Sequence, residues 1–171
     1  MITERITMIQ QNEWNDITIR TLKAGDENLI NDFFDRMGGE SRALFNRRDY
    51  NRRGVLKQCT KPLSDRCYWL AILDGAMVGY VFYLDWDTGV PELGIAVRDD
   101  LRGQRLGKRL MMYAIDEAKM HGKGGIYLTT HTANLRGQAL YDAMGFTCMG
   151  VAKNGTELMY LYRFRNNESI I

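Results

Sequence analysis

The chain reads as a mixed α/β domain: a central mixed β-sheet with helices on both faces. Three observations predict this. Short β-rich runs meet at two-residue turn signals, Asp74-Gly75 and Asn154-Gly155, as antiparallel hairpins do. The segment from Glu92 to Thr130 reads strand, long amphipathic helix, strand, which is a right-handed parallel crossover. Two further helical stretches lie between the first and second strands, and a short one precedes the last hairpin. The predicted order is β-α-α-β-β-β-α-β-α-β-β. With 171 residues and 45% hydrophobic content, residues 1–171 form one domain with enough chain for a sizeable core.

Residues 1–15 are polar and mixed and read as a loose leader. They carry no apolar signal region, and no segment approaches the length of a membrane span. Ile17 to Leu22 alternates as a strand. Asp26 is the expected N-cap of a helix whose apolar face holds Leu29, Ile30, Phe33, Phe34 and Met37, with Gly38-Gly39 ending it. A second helix is expected over about 41–58, rich in arginine from Arg42 to Arg53 with Phe45 and Tyr50 interleaved. Cys67–Leu73 and Ala76–Trp86 form the first hairpin. After Asp87-Thr88-Gly89 comes the central strand, where Leu93, Ile95 and Val97 alternate with Glu92, Gly94 and Ala96.

The following helix carries Leu106, Leu110, Met111, Ala114, Ile115 and Ala118 on one stripe and ends near His121-Gly122. Gly125 to Thr130 is the next strand. Asn134 caps a short helix with Leu135, Ala139, Leu140 and Ala143, stopped by Gly145. Phe146–Lys153 and Thr156–Phe164 pair through Asn154-Gly155.

A formal charge of +2 gives no support for general nucleic-acid binding. Cys59, Cys67 and Cys148 are odd in number and lack C-x-x-C spacing, as expected of reduced thiols in a cytoplasmic protein without disulfide or zinc. The chemistry concentrates between the central strand and its helix. There Arg102-Gly103-Gln104-Arg105-Leu106-Gly107-Lys108-Arg109 forms a basic, glycine-containing loop opening a helix. Such a loop presents unpaired N–H groups and the positive end of the helix dipole, which suits a phosphate or pyrophosphate.

Two common nucleotide motifs are disfavoured. Gly103 and Gly107 are one residue too close for a P-loop, and Arg109 stands where its hydroxyl residue would hold magnesium. Gly103-Gln104-Arg105 breaks the G-x-G-x-x-G dinucleotide pattern, and the next strand ends in Thr129-Thr130-His131 without a carboxylate.

The loop resembles the acetyl-CoA signature Q/R-x-x-G-x-G/A of the GCN5-related N-acetyltransferase (GNAT) family. Arg102, Gly103, Gln104, Leu106 and Gly107 fit it. Arg105 replaces the middle glycine, which is tolerable if it takes ordinary helical angles. Asn134 to Phe146 resembles the family's second signature, N-x-x-A-x-x-L-Y-x-x-x-G-F, shortened or shifted before Ala139. Two such motifs in order, over about Ile17 to Phe164, imply a GNAT-like acyl-CoA N-acyltransferase fold. They imply acetyl transfer from acetyl-CoA to a primary amine by direct attack in a ternary complex, without a metal.

The resemblance implies a role for each site residue. The pyrophosphate sits on N–H groups of Gln104, Arg105, Leu106, Gly107, Lys108 and Arg109. Pantetheine pairs along Ile95, Ala96 and Val97, with small Gly94 and Ala96 leaving room beside the strand. A backbone N–H such as that of Val97 steadies the oxyanion. Asn134 touches pantetheine, caps its helix, or does both. Tyr141 gives a proton or hydrogen bond to the leaving thiolate; the alternative is a core tyrosine.

Glu92 is either a solvated strand-end carboxylate or the base that deprotonates the acceptor, whose amine pKa is about 10. His131 and His121 read first as surface or helix-end residues, and Met111 and Met112 as filler. The arginine run is a solvated face or a border of the acceptor groove. Expected partners are a small-molecule or peptide amine, with room for a homodimer and none for a membrane. The alternative function is a non-catalytic CoA-binding sensor of the same fold.

Overall fold

In the computed structural model, residues 16–44 and 51–165 are described. Seven strands form one sheet: β1 (Thr18–Thr21), β2 (Cys67–Leu73), β3 (Ala76–Leu84), β4 (Glu92–Val97), β5 (Gly125–His131), β6 (Thr147–Val151) and β7 (Glu157–Arg163). Their spatial order is β1-β2-β3-β4-β5-β7-β6. β4 and β5 are parallel, and every other neighbouring pair is antiparallel. The helices are α1 (Glu27–Asp35), α2 (Gly39–Leu44), α3 (Arg52–Thr60), α4 (Leu106–Met120) and α5 (Leu135–Ala143). The expected helix over 41–58 is thus represented by α2 and α3. Its residues 45–50, including Arg47, Arg48 and Tyr50, lie outside the described residues, as does the expected leader.

The alternation of the strands sorts their side chains onto two cores. One core joins Ile30, Phe33 and Phe34 of α1 and Val55 of α3 to Leu70, Tyr80, Phe82 and Ala96. The other joins the stripe of α4, from Leu106 to Ala118, to Trp69, Val81, Tyr83, Leu93, Ile126 and Leu128. Tyr83 Oη donates to the carbonyl of Ala114 at 2.9 Å and so fixes α4 over the sheet. Among the described residues, no helix is long and apolar enough to cross a membrane.

Two local expectations need correction. Asp26 precedes α1 but makes no side-chain cap. Its carboxylate instead accepts from Arg20 at 2.7 and 2.8 Å and from the Lys23 N–H at 2.9 Å. The Arg20 guanidinium holds that carboxyl below the usual range. Asp74-Gly75 makes the expected two-residue turn, with φ of 50° and 76°, but Asn154-Gly155 does not. β6 stops at Val151 and β7 starts at Glu157. Only Gly155 is left-handed there, and Asn154 Oδ1 instead accepts from the N–H groups of Thr156 and Glu157. A side chain that satisfies two turn amides favours the longer loop.

Candidate active site

β4 and β5 are registered at a single pair, Glu92 with Tyr127. Beyond it the strands part. Leu93, Gly94 and Ile95 line one wall of a cleft of about 420 Å³, and Thr129, Thr130 and His131 line the other. Asn134 and Tyr141 of the second motif reach the same cleft, as do Asn154 and Glu157 at the β6–β7 turn. A parallel pair that separates leaves backbone groups of the inner strand without a neighbour, an arrangement an extended ligand can complete.

The room expected beside Gly94 and Ala96 does not lie over the face of the strand. A Cβ on Gly94 would lie 2.0 Å from Phe82 Cζ, and Ala96 is packed in the α1–α3 core. The aromatic ring of β3 seals that face. The open side of β4 is its edge toward β5, not its face.

Past Val97 the chain makes a 3-10 turn, Asp99–Leu101, then enters the basic loop. Asp99 organises this corner. It accepts from the Gly38 N–H at 2.6 Å and from Ser41 Oγ at 2.7 Å, and it pairs with Arg102, which also bonds Ser41. Burial pushes the Asp99 carboxyl up, but these bonds and the charges of Arg102 and Arg136 outweigh it and hold the group below the usual carboxylate range. The Arg102 guanidinium therefore clamps α2 to the loop.

The start of α4 differs from expectation at two residues. Arg105 has φ of 68°, left-handed, not helical. That is the position where the acetyl-CoA signature has glycine, and the left-handed angle explains the glycine preference. The Arg109 N–H is not a free donor, because it bonds the Arg105 carbonyl at 3.1 Å; its guanidinium reaches the Ile17 carbonyl at 3.0 Å. The N–H groups ahead of the first intrahelical bond are those of Leu106, Gly107 and Lys108. The Arg105 side chain does not cap them. A Cβ on Gly107 would lie 3.3 Å from Leu140 Cδ2 and 3.8 Å from Val97 Cγ2, so Gly107 is the point where the two motifs and β4 meet.

The second motif is neither shortened nor shifted. Counting back from Leu140-Tyr141, Gly137 takes the alanine position. A Cβ there would lie 2.4 Å from Asn134 Nδ2. Asn134 needs that space: its Oδ1 accepts from the Gly137 N–H at 3.1 Å, capping α5, while its Nδ2 donates to Thr130 Oγ1 at 2.9 Å. Tyr141 is buried against Tyr160 and Phe146. Burial pushes its hydroxyl up to about 12, against a hydrogen bond from Thr130 that pulls it down.

Glu92 is not the solvated carboxylate of the simpler reading. It is 7% exposed, at the closed end of the β4–β5 wedge, and Tyr127 Oη donates to its Oε2 at 3.4 Å. The carboxylate that lines the cleft is Glu157, held by Asn154 Nδ2 at 2.6 Å. Neither Glu157 nor Thr130 was expected at the site. Only the register of β5 with β7, which sets His131 opposite Glu157, brings the β7 carboxylate there. His131 is exposed, and its Nδ1 accepts from the Ala133 N–H at 3.1 Å. His121 ends α4 beside Trp86, remote from the cleft.

In the arginine run, Arg42 donates to the carbonyls of Phe34 and Asp35, and Arg52 pairs with Asp35 at 2.5 Å. Both serve the C-terminal end of α1, where cations are favoured. A larger hollow of about 790 Å³ lies between Lys119, Tyr162 and Phe164. It includes none of Glu92, Asn134, Tyr141 or the basic loop, and it is not the site described here.

A profile of the acetyltransferase (GNAT) family matches residues 29–146, and the chain belongs to that family. Within it, the chain is 31% identical over 88 residues to the N-acetylaspartate synthetase of Mus musculus, a match covering 50% of this chain and 29% of that protein. The fold is that of the GNAT domain of S. lividans PAT, with a TM-score of 0.75 at 16% identity over 85% of this chain and 89% of that one. It is likewise that of the PaiA N-acetyltransferase from Thermoplasma acidophilum, crystallised in complex with coenzyme A. There the TM-score is 0.69 at 18% identity, covering 86% of this chain and 99% of that one.

Proposed function

We propose that the protein transfers an acetyl group from acetyl-CoA to a primary amine by direct attack in a ternary complex. The observation that carries this reading is a cleft that joins the separated edge of β4 to a buried tyrosine, with an uncapped helix start that meets the same strand at Val97. The N–H groups at the start of α4 hold the pyrophosphate, with the left-handed Arg105 turning the chain so that they point outward. The pantetheine arm lies along the β5-facing edge of Ile95, Ala96 and Val97. A backbone N–H of that edge accepts the growing negative charge on the thioester oxygen.

The acceptor enters from the Glu157 side of the cleft. An amine with a pKa of about 10 arrives as ammonium and needs a proton acceptor. Glu92 fills that role through the Tyr127 hydroxyl or water, since it stands behind the cleft wall. The amine then attacks the acyl carbon held beside it, and proximity supplies much of the acceleration. Tyr141 faces the leaving sulfur.

The test is thiol release from acetyl-CoA with a panel of amino acids, polyamines, peptides and aminoglycosides. Turnover with at least one amine is expected. Glu92→Gln should lower that turnover more at about pH 7 than at about pH 9.5, where free amine is more abundant. Tight CoA binding with no turnover across the panel would favour the sensor alternative.

A further inference from the structure

We propose that Glu157 is the specificity-determining residue of the acceptor cleft and selects aliphatic amines that carry a second positive charge. The inference deepens the acetyl-transfer reading above and rests on it. Its warrant is where strand alternation puts the functional groups of the cleft. Leu93 of β4, Ile126 and Leu128 of β5, and Leu158 and Tyr160 of β7 turn toward the α4 core, which also holds Tyr141 and Leu106 at the α4 start. Glu92, Tyr127, Thr129, His131 and Glu157 alternate with these residues and turn to the opposite face, the one that carries α1. The cofactor's anchors therefore belong to one face, and the base and Glu157 to the other.

Along that second face Glu92 is level with Tyr127, and Glu157 is level with His131. Four residues of β5 separate the two levels, about 13 Å at about 3.3 Å per residue. A nitrogen held at the β4 edge, losing its proton toward Glu92, leaves room along β5 for a second nitrogen at Glu157. Ala43, Leu44, Leu93 and Ile95 line the cleft and suit an alkyl spacer.

Among the described residues that line the cleft, Glu157 is the only carboxylate, and there is no lysine or arginine. His131 Nδ1 accepts from the Ala133 N–H, so the ring hydrogen is on Nε2 and the ring brings no cation in that geometry. The Glu157 carboxylate is pre-oriented. Asn154 Oδ1 accepts from the N–H groups of Thr156 and Glu157, and its Nδ2 donates to Glu157 Oε2 at 2.6 Å. The Thr132 N–H donates to the Thr156 carbonyl at 3.0 Å and ties this turn to the end of β5. A neutral amide thus fixes the carboxylate without neutralising it. Beside apolar walls such a carboxylate draws in a cation and disfavours another carboxylate.

Three acceptors of one chain length isolate the effect. Butylamine, diaminobutane and aminobutyrate end in a methyl, an ammonium and a carboxylate. At saturating acetyl-CoA, kcat/KM should rank diaminobutane above butylamine and butylamine above aminobutyrate. Corrected for its pair of equivalent amines, diaminobutane should lead butylamine by about tenfold, the scale of one hydrogen bond to a charged group. Added salt should shrink that lead, because screening weakens a charge pair open to solvent.

Glu157→Gln can still accept from Asn154 Nδ2. It should bring diaminobutane to within about twofold of butylamine. Glu157→Lys should put aminobutyrate ahead of diaminobutane. Thermal melts establish that each variant folds, and the salt dependence tests the wild type directly if one does not. Equal corrected kcat/KM for diaminobutane and butylamine in the wild type, or a lead that persists in folded Glu157→Gln, would overturn the proposal. Turnover of other amines with none of diaminobutane would also overturn it. Absence of turnover with every amine would instead overturn the acetyl-transfer reading beneath it.

Discussion

The helices α4 and α5 begin differently. α5 starts on Asn134, whose side chain satisfies the Gly137 N–H and then reaches on to Thr130. α4 starts on Arg105, which has a left-handed backbone and offers no side-chain cap. A helix start without a cap leaves orphan donors, and replacing a good cap typically costs about 1 kcal/mol. The α4 start also carries left-handed strain. An α4 start that forgoes a cap and tolerates strain, beside an α5 start that does neither, supports the proposal that α4 receives an outside anion while α5 holds Tyr141.

The largest expected effect comes from closing the open start. Gly107→Glu sets a side chain and a negative charge where Leu140 already stands 3.3 Å from a Cβ. CoA affinity measured by calorimetry should fall by at least about a hundredfold, near 2.7 kcal/mol. A folded variant with wild-type affinity would erase the distinction between the two helix starts. On the other side, Tyr141→Phe should slow transfer by about ten- to a hundredfold while leaving CoA binding intact. Unchanged turnover would make the second motif a packing feature only.

Arg105→Gly sharpens the comparison by removing strain without adding a cap. Left-handed strain of about 1–2 kcal/mol is relieved, against about 0.5–1 kcal/mol of added chain entropy. The apo protein should therefore melt at the same or a slightly higher temperature. Arg105→Ala keeps the strain and should be no more stable than the wild type.

The smallest effect is that of pH on the corner around Asp99. Its folded-state pKa is depressed, so its contribution is complete above the unfolded value of about 4 and is lost as pH falls toward the folded one. Acid titration followed by melting temperature should show less loss below about pH 4 in Asp99→Asn, which starts less stable at neutral pH.

Much of this comparison was legible in the sequence. The alternation of Glu92 to Val97, the α4 stripe and the Asp74-Gly75 turn are local signals, and each matched its element. The angle at Arg105 was not legible, because an arginine there gives no hint of a left-handed backbone. Only the path from β4 into α4 demands it. Nor was the sealing of Gly94 by Phe82, since a small residue marks close approach without saying what approaches. Glu157 and Thr130 became site residues through strand order: β7 inserts between β5 and β6, a non-local pairing that no spacing in the chain encodes. The motif residues were found because their spacing is set by one helix or one turn.

The claim that the α4 start is the anion cradle is tested most directly by titrating CoA into isotopically labelled protein and following backbone amide signals. The largest changes should fall on Gln104 to Lys108, extend to Ile95, Ala96 and Val97, and leave the already bonded Arg109 N–H comparatively still. Changes centred instead on the hollow at Lys119, Tyr162 and Phe164, with the α4 start unmoved, would contradict it.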